Sequence, residues 1–196
     1  MADGERLRRA LAAIDAANAG DPQRIGVRGD VRPKELAHAE LVSEWVERLR
    51  PDASEALRLA ARAHHVRRWE ISRERYPEGR SGYLRWRKAL GAHHAKVVGE
   101  ILAGEGYAEP TIARVQEIVR KWNLGRDAEV QVLEDALCLV FLETQFHDLT
   151  RRLEPDRLLE VTRKTLRKMS PRAVELTAQL PLDPQDRAYI ERAAHL

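Results

Sequence analysis

Of 196 residues one is cysteine, two are phenylalanine and two are methionine, and aromatic residues together make up 5%. The lone Cys138 excludes a disulfide framework and any paired-cysteine zinc or redox site. No apolar run approaches the ~20 residues that span a bilayer. The first twenty residues do not read as a signal peptide, because their apolar members are small and Arg8, Arg9 and Asp15 interrupt them. These absences predict a cytoplasmic protein with no membrane partner. A surplus of one charge is also missing: 34 Lys and Arg against 31 Asp and Glu leave a net of +3. That is too balanced for a nucleic-acid coat protein, although it leaves room for a local basic patch. Alternating strand patterns and repeats of 20–50 residues are absent too.

What is present points to one helical domain. At a nominal ~150 residues per domain, the chain reads as a single unit over 1–196. Hydrophobic residues at 43% and charged residues at 33% suit a globular protein with a real core. Helix start and stop signals recur along the chain. Asp3 is placed to cap a helix running to about Asn18. Pro33 opens a second, to about Leu49. Asp52 or Ser54 caps a third, through about Trp69. Ser81 opens a fourth that ends near Gly104 or Gly106, and Pro110 a fifth closed by Asn123 and Gly125. Asp127 caps a long segment to about Leu153, and Glu154-Pro155, Ser170-Pro171 and Asp183-Pro184 start three more, proline being preorganised for a first turn. Only 20–32 and 70–81 read as long irregular stretches, a length that is often functional. The segment VQVLEDALCLVFLETQF is apolar nearly all round, so a bundle around this central helix, about 127–150, is expected.

The seven histidines are the informative residues. His38 heads a stripe with Leu41, Val42, Trp45, Val46 and Leu49, at helical spacing. His64 shares a face with Leu57, Ala60 and Ala61, and His65 lies one step around. His94 shares a face with Leu90, Val97 and Ile101. Asp135 sits among apolar neighbours in the central segment, where an ionised carboxylate needs a partner or a metal. Each alone is ordinarily a hydrogen-bonded core residue, or for Asp135 the partner of an arginine. Imidazoles from three helices and a carboxylate from a fourth, all inward, together make the donor set of zinc, manganese, iron or nickel.

The segments AHAELVSEWVERL, ARAHHVRRW, HHAKVVGEIL and VQVLEDALCLVFLE resemble the ordered motifs of the HD-domain superfamily. More narrowly, RAHHVRRWEISRERYPEGRSGYLRWR followed by EDALCLVFLE is similar to domain-of-unknown-function family 4202. The wider resemblance implies an all-helical, metal-dependent protein, usually a phosphohydrolase and less often an oxygenase. One departure matters. The superfamily doublet is His-Asp, and its aspartate bridges two metals in dinuclear members, whereas here it is His64-His65. A neutral imidazole offers one lone pair and cannot bridge. The implied ligand set is therefore His38, His64, His65 and Asp135 around one divalent metal. His94 aligns with a position that binds a second metal in some members and faces substrate in others. With four ligands in place it is expected as a general acid or substrate-orienting group. Where the superfamily often carries a further histidine pair, this chain has IVRKWNL, with Lys121 and Trp122.

Cations cluster near the doublet. Arg67 and Arg68 follow His64 by three and four residues, one turn along the expected helix. Arg80 lies between Gly79 and Gly82 in the irregular loop, followed by Arg85, Arg87 and Lys88. Arginine forks suit phosphate, and Arg67, Arg68, Arg80 and Lys121 are the expected substrate-binding residues. The leading expectation is a metal-dependent phosphohydrolase on a small phosphorylated or nucleotide-like substrate. A mononuclear iron-dependent oxygenase, and a non-enzymatic helical module whose basic face meets RNA or an acidic partner, are the alternatives.

Overall fold

The computed structural model describes residues 2–194, with only the backbone of the first two of these. Asp3, the expected first cap, therefore lies outside the described side chains. Helix α1 (Ala2–Ala19) leads into a two-stranded antiparallel hairpin, β1 (Arg24–Val27) and β2 (Asp30–Pro33), paired from Arg24↔Pro33 to Val27↔Asp30. The connecting residues Arg28 and Gly29 both have positive φ, 52° and 91°, the geometry that matches hairpin twist. This hairpin occupies the stretch expected to be irregular. Bidentate pairs from Arg28 to Glu44 and from Arg32 to Glu40 tie it to the next helix.

That helix is α2 (Lys34–Leu49), followed by α3 (Glu55–Ala63), two 3-10 turns at Arg68–Glu70 and Arg73–Arg75, and the long α4 (Gly79–Gly104). Then come α5 (Glu109–Val119), α6 (Ala128–Thr144), α7 (Phe146–Thr150), α8 (Pro155–Leu166), α9 (Pro171–Leu176) and α10 (Pro184–Ala194). The caps are the expected ones at several ends. Ser54 Oγ accepts the Leu57 N–H at 3.1 Å, Asp127 accepts from Glu129 and Val130, and Ser170 Oγ accepts from Ala173 at 3.2 Å.

Helix α6 is the centre, as its all-round apolar sequence requires. Its Leu133, Ala136, Leu139 and Leu142 are fully buried, and α2, α3, α5, α7 and α9 all touch it. Truncating such a leucine costs ~2–5 kcal/mol in a packed core. The long central segment is in fact broken at Gln145, where φ of −127° ends α6 and starts α7.

Helix α3 is shorter than expected, with consequences for function. It stops at Ala63 rather than near Trp69. Val66 N–H bonds back to Ala63 O, and Arg67 adopts a left-handed φ of 51° while its N–H is taken by the Oδ1 of buried Asn18 at 3.1 Å. Tertiary contact with α1 ends the helix, and the residues after His64 leave its axis.

Candidate functional site

Helices α2 and α6, the turn after α3 and the start of α4 enclose a cavity of about 380 Å³. Three imidazoles face it: His38, His64 and His65. Hydrogen bonds define which nitrogen of each ring is free. His64 Nδ1 donates to Ala61 O at 2.9 Å, a carbonyl that can only accept, so Nε2 carries the lone pair. His65 Nδ1 donates to Glu35 Oε2 at 3.2 Å, leaving its own Nε2. Thr144 gives its only hydroxyl proton to Val140 O at 2.7 Å, so it accepts from His38 Nε2 at 3.3 Å. That leaves the His38 Nδ1 lone pair, 4.0 Å from Glu35 Oε2. Burial holds His38 below the usual imidazole range and His64 and His65 well below it, with His64 and His65 further depressed by neighbouring imidazoles and, at His65, by Arg68. All three are neutral near pH 7, the form that binds metals.

Glu35 completes the group. It is buried in the first turn of α2, and its N–H is held by the carboxylate of buried Asp21 at 2.9 Å. Glu35, His64 and His65 each bring one donor atom within 4.8 Å of the other two. A carboxylate and two imidazoles this close suit a cation: the bond from His64 Nδ1 to Ala61 O is the usual outer support of a ligand that binds through Nε2, whereas His65 turns its Nδ1 side toward Glu35.

Asp135 does a different job from the one expected of it. It is buried, but Oδ1 accepts from Ser170 N at 2.8 Å and from Gln131 Nε2 at 2.9 Å, and Oδ2 accepts from Ser170 Oγ at 2.6 Å. These bonds fasten α9 to α6, and Asp135 does not line the cavity. Its neighbour Glu134 does, held by Lys121 and with Lys168 Nζ 3.9 Å away. An apolar helix buried on every side shows no stripe from which to choose between the two adjacent acids.

The cations divide similarly. Arg68 and Lys121 line the cavity, as do Arg87 and Lys168. The Arg68 guanidinium lies 3.7 Å from Glu35 Oε1 and 5.0 Å over the Trp86 ring, and burial pulls it below its ordinary value. Arg67 and Arg80 stay outside. Arg67 is exposed and turned toward Glu70, because the left-handed residue ends the helical register that would have carried it alongside His64. Arg80 is exposed in the first turn of α4. Glu35, Glu134 and Lys168 were missed as site residues. Only Glu35 left a signal, standing three residues before His38 on the same helical stripe.

His94 is buried on the other side of the doublet, in an adjoining recess of about 80 Å³ with His64, His65 and Lys121. Its Nδ1 donates to Val66 O at 2.9 Å, and its buried Nε2 has no partner. Burial, opposed by that bond, pushes it down to about 4. It is therefore a neutral acceptor at pH 7 rather than the proton donor expected from an ordinary imidazole.

A family model described as domain of unknown function, DUF4202, matches residues 8–190. The chain belongs to that family. No curated protein and no solved structure matches it. In this DUF4202 chain the quoted motifs place a histidine- and cation-lined cavity at the centre of an all-helical bundle. No helix among the described residues is long and apolar enough to cross a membrane.

Proposed function

We propose that this chain is a metal-dependent phosphohydrolase acting on a small phosphorylated substrate. The observation that carries the reading is the juxtaposition in one cavity of neutral imidazoles, His38 and His64 buried and His65 half-buried, beside Glu35 with four cationic side chains, Arg68, Arg87, Lys121 and Lys168. The resemblance to the HD-domain superfamily points the same way. Glu35, His64 and His65 would hold the metal, with His38 beside them. A bound divalent metal polarises a phosphoryl oxygen and lowers the pKa of coordinated water toward ~7.

The chain's own residues supply the rest. Arg68 and Arg87 present guanidinium groups for phosphate oxygens, and Arg68 is held in place by Glu35 and Trp86. Lys121 and Lys168 flank Glu134 across the cavity and add charge without fixed geometry. Leu137, Val140 and Phe141 of α6 form an apolar wall that accepts the non-phosphate part of the substrate. The unpartnered Nε2 of His94 is placed to accept a hydrogen bond from water beside the doublet.

The test is elemental analysis of protein reconstituted with zinc, manganese, iron or nickel, followed by phosphate release from a panel of phosphomonoesters. About one metal per chain and metal-dependent release, both lost in His64→Ala, is the expected result. Less than a tenth of an equivalent with every metal would overturn the reading.

A further inference from the structure

Many arginines of this chain are matched to carboxylates. Arg28 pairs with Glu44, Arg58 with Glu47 and Arg114 with Asp127. One region gathers cations that are not so matched. Arg80, Arg85, Arg87 and Lys88 of α4, and Arg120 and Arg126 of the turn between α5 and α6, have no carboxylate within 4.0 Å among the described residues. All six are exposed.

The same region carries most of the chain's exposed large apolar side chains. Trp122 is 65% exposed, Leu84 55% and Tyr83 47%. Exposed rings are costly on a protein that has few of them, and a group of them marks a contact surface. The 120–126 turn is shaped for this display. Lys121, Asn123 and Gly125 all have positive φ, 58°, 59° and 85°. The left-handed Lys121 reaches inward to Glu134 on the cavity wall, while the next residue, Trp122, faces solvent. Tyr83, Arg87 and Lys121 line the cavity itself. Arg80, which shares a helical face with Tyr83 and Arg87, and Arg120 and Trp122, which flank Lys121, thus form a rim on two sides of its mouth.

We propose that this rim binds single-stranded nucleic acid and leads its phosphorylated end into the cavity. The inference rests on the phosphohydrolase reading and extends its substrate from a small phosphate ester to the phosphorylated end of an oligonucleotide. Charge complementarity selects a polyanion, since the rim cations lack internal partners. The flat faces of Trp122 and Tyr83 select unpaired bases, because every base can stack on an aromatic ring without regard to sequence. A duplex hides those faces, and an acidic peptide offers few groups that need them.

The experiment is fluorescence anisotropy of a labelled single-stranded oligonucleotide of about ten residues, titrated with metal-loaded protein from roughly 50 to 200 mM salt. A log–log salt slope near −3 is expected, as for about four neutralised phosphates at ~0.7 each. Trp122→Ala should weaken binding about tenfold with metal content unchanged. Arg80→Glu should weaken it and flatten the slope. A blunt duplex should bind less tightly. No binding at the lowest salt, a duplex bound as tightly as the single strand, or an unaffected Trp122→Ala would each overturn the proposal. The two readings fail separately. Phosphate release from small esters without oligonucleotide binding removes the rim proposal alone, whereas oligonucleotide binding by a chain that takes up no metal removes the phosphohydrolase alone and supports the rim.

Discussion

Substituting Asp135 separates a structural role from the metal-binding one that its sequence context suggests. Asp135 is 2% exposed and accepts three hydrogen bonds, two of them from Ser170. Ser170 Oγ in turn caps α9 by accepting from Ala173. Asp135→Ala leaves the Ser170 N–H and hydroxyl without their acceptor. Hydrogen bonds to charged groups contribute ~1.5–3 kcal/mol each. Taking the two from Ser170 at the low end, and nothing for Gln131, gives about 3 kcal/mol. For a chain of this size that lowers the melting temperature by roughly 6–12 °C. Metal per folded chain should not change. Thermal denaturation and elemental analysis on one preparation give both quantities. A variant that melts like the parent but loses its metal would show that Asp135 is a ligand, and the assignment of its two oxygens to Ser170 and Gln131 would be wrong.

Three further outcomes follow from the same geometry. Glu35→Gln should lower metal affinity by more than the roughly 10–100-fold that loss of an outer partner costs in a competition assay with a chelating dye, and an unchanged affinity would remove Glu35 from the centre. Gly82→Ala should destabilise the start of α4 by ~1–3 kcal/mol, because an added Cβ would lie 1.8 Å from Pro77 O; urea denaturation checks it. The His94 imidazole, ordinarily near 6.5, titrates at about 4 when folded, so between those values the unfolded chain binds more protons and stability falls as pH drops, by about 3 kcal/mol for the whole span. His94→Asn, which keeps a donor for Val66 O, should flatten that part of the stability–pH curve, and an unaltered curve would refute the assignment.

Helix boundaries were legible where the signal is local. Ser54, Asp127, Ser170 and the helix-opening prolines act within one turn of the chain, and each start lies within a residue or two of where those residues put it. The misses have tertiary causes. Nothing in ARAHHVRRW stops a helix; the stop is the Asn18 amide reaching the Arg67 N–H from α1. The hairpin has only four residues per strand and an Arg-Gly turn in place of the Asn-Gly that announces such loops. It is held by arginine–glutamate pairs to α2 that no strand pattern encodes. The inward histidines were readable because each shares a one-sided stripe. Glu134 was not, because α6 has no solvent side to fix its register.

The end of α1 supplies no group to the cavity, yet it positions both halves of the candidate centre. Asn18 and Asp21, 1% and 2% exposed, lie three residues apart. Asn18 Oδ1 accepts from Arg67 N, two residues after the His64-His65 doublet, and Asp21 accepts from Glu35 N and Gln23 N. Asn18→Ala leaves a left-handed Arg67 without the bond that holds it, and Asp21→Ala leaves two amides without theirs, at ~1–3 kcal/mol for each buried donor. Both should also lower metal affinity by about 10–100-fold, the range for lost outer support, because Glu35, His64 and His65 must meet within one small volume. Once either half has slackened, the metal gains less from the other, so the double variant should lose less than the product of the two single losses. Dye-competition titrations of the parent, the two single variants and the double variant measure this directly. Reduced melting temperatures with metal affinity unchanged in all three would show that α1 only supports the fold, and that the doublet and Glu35 hold their positions without it.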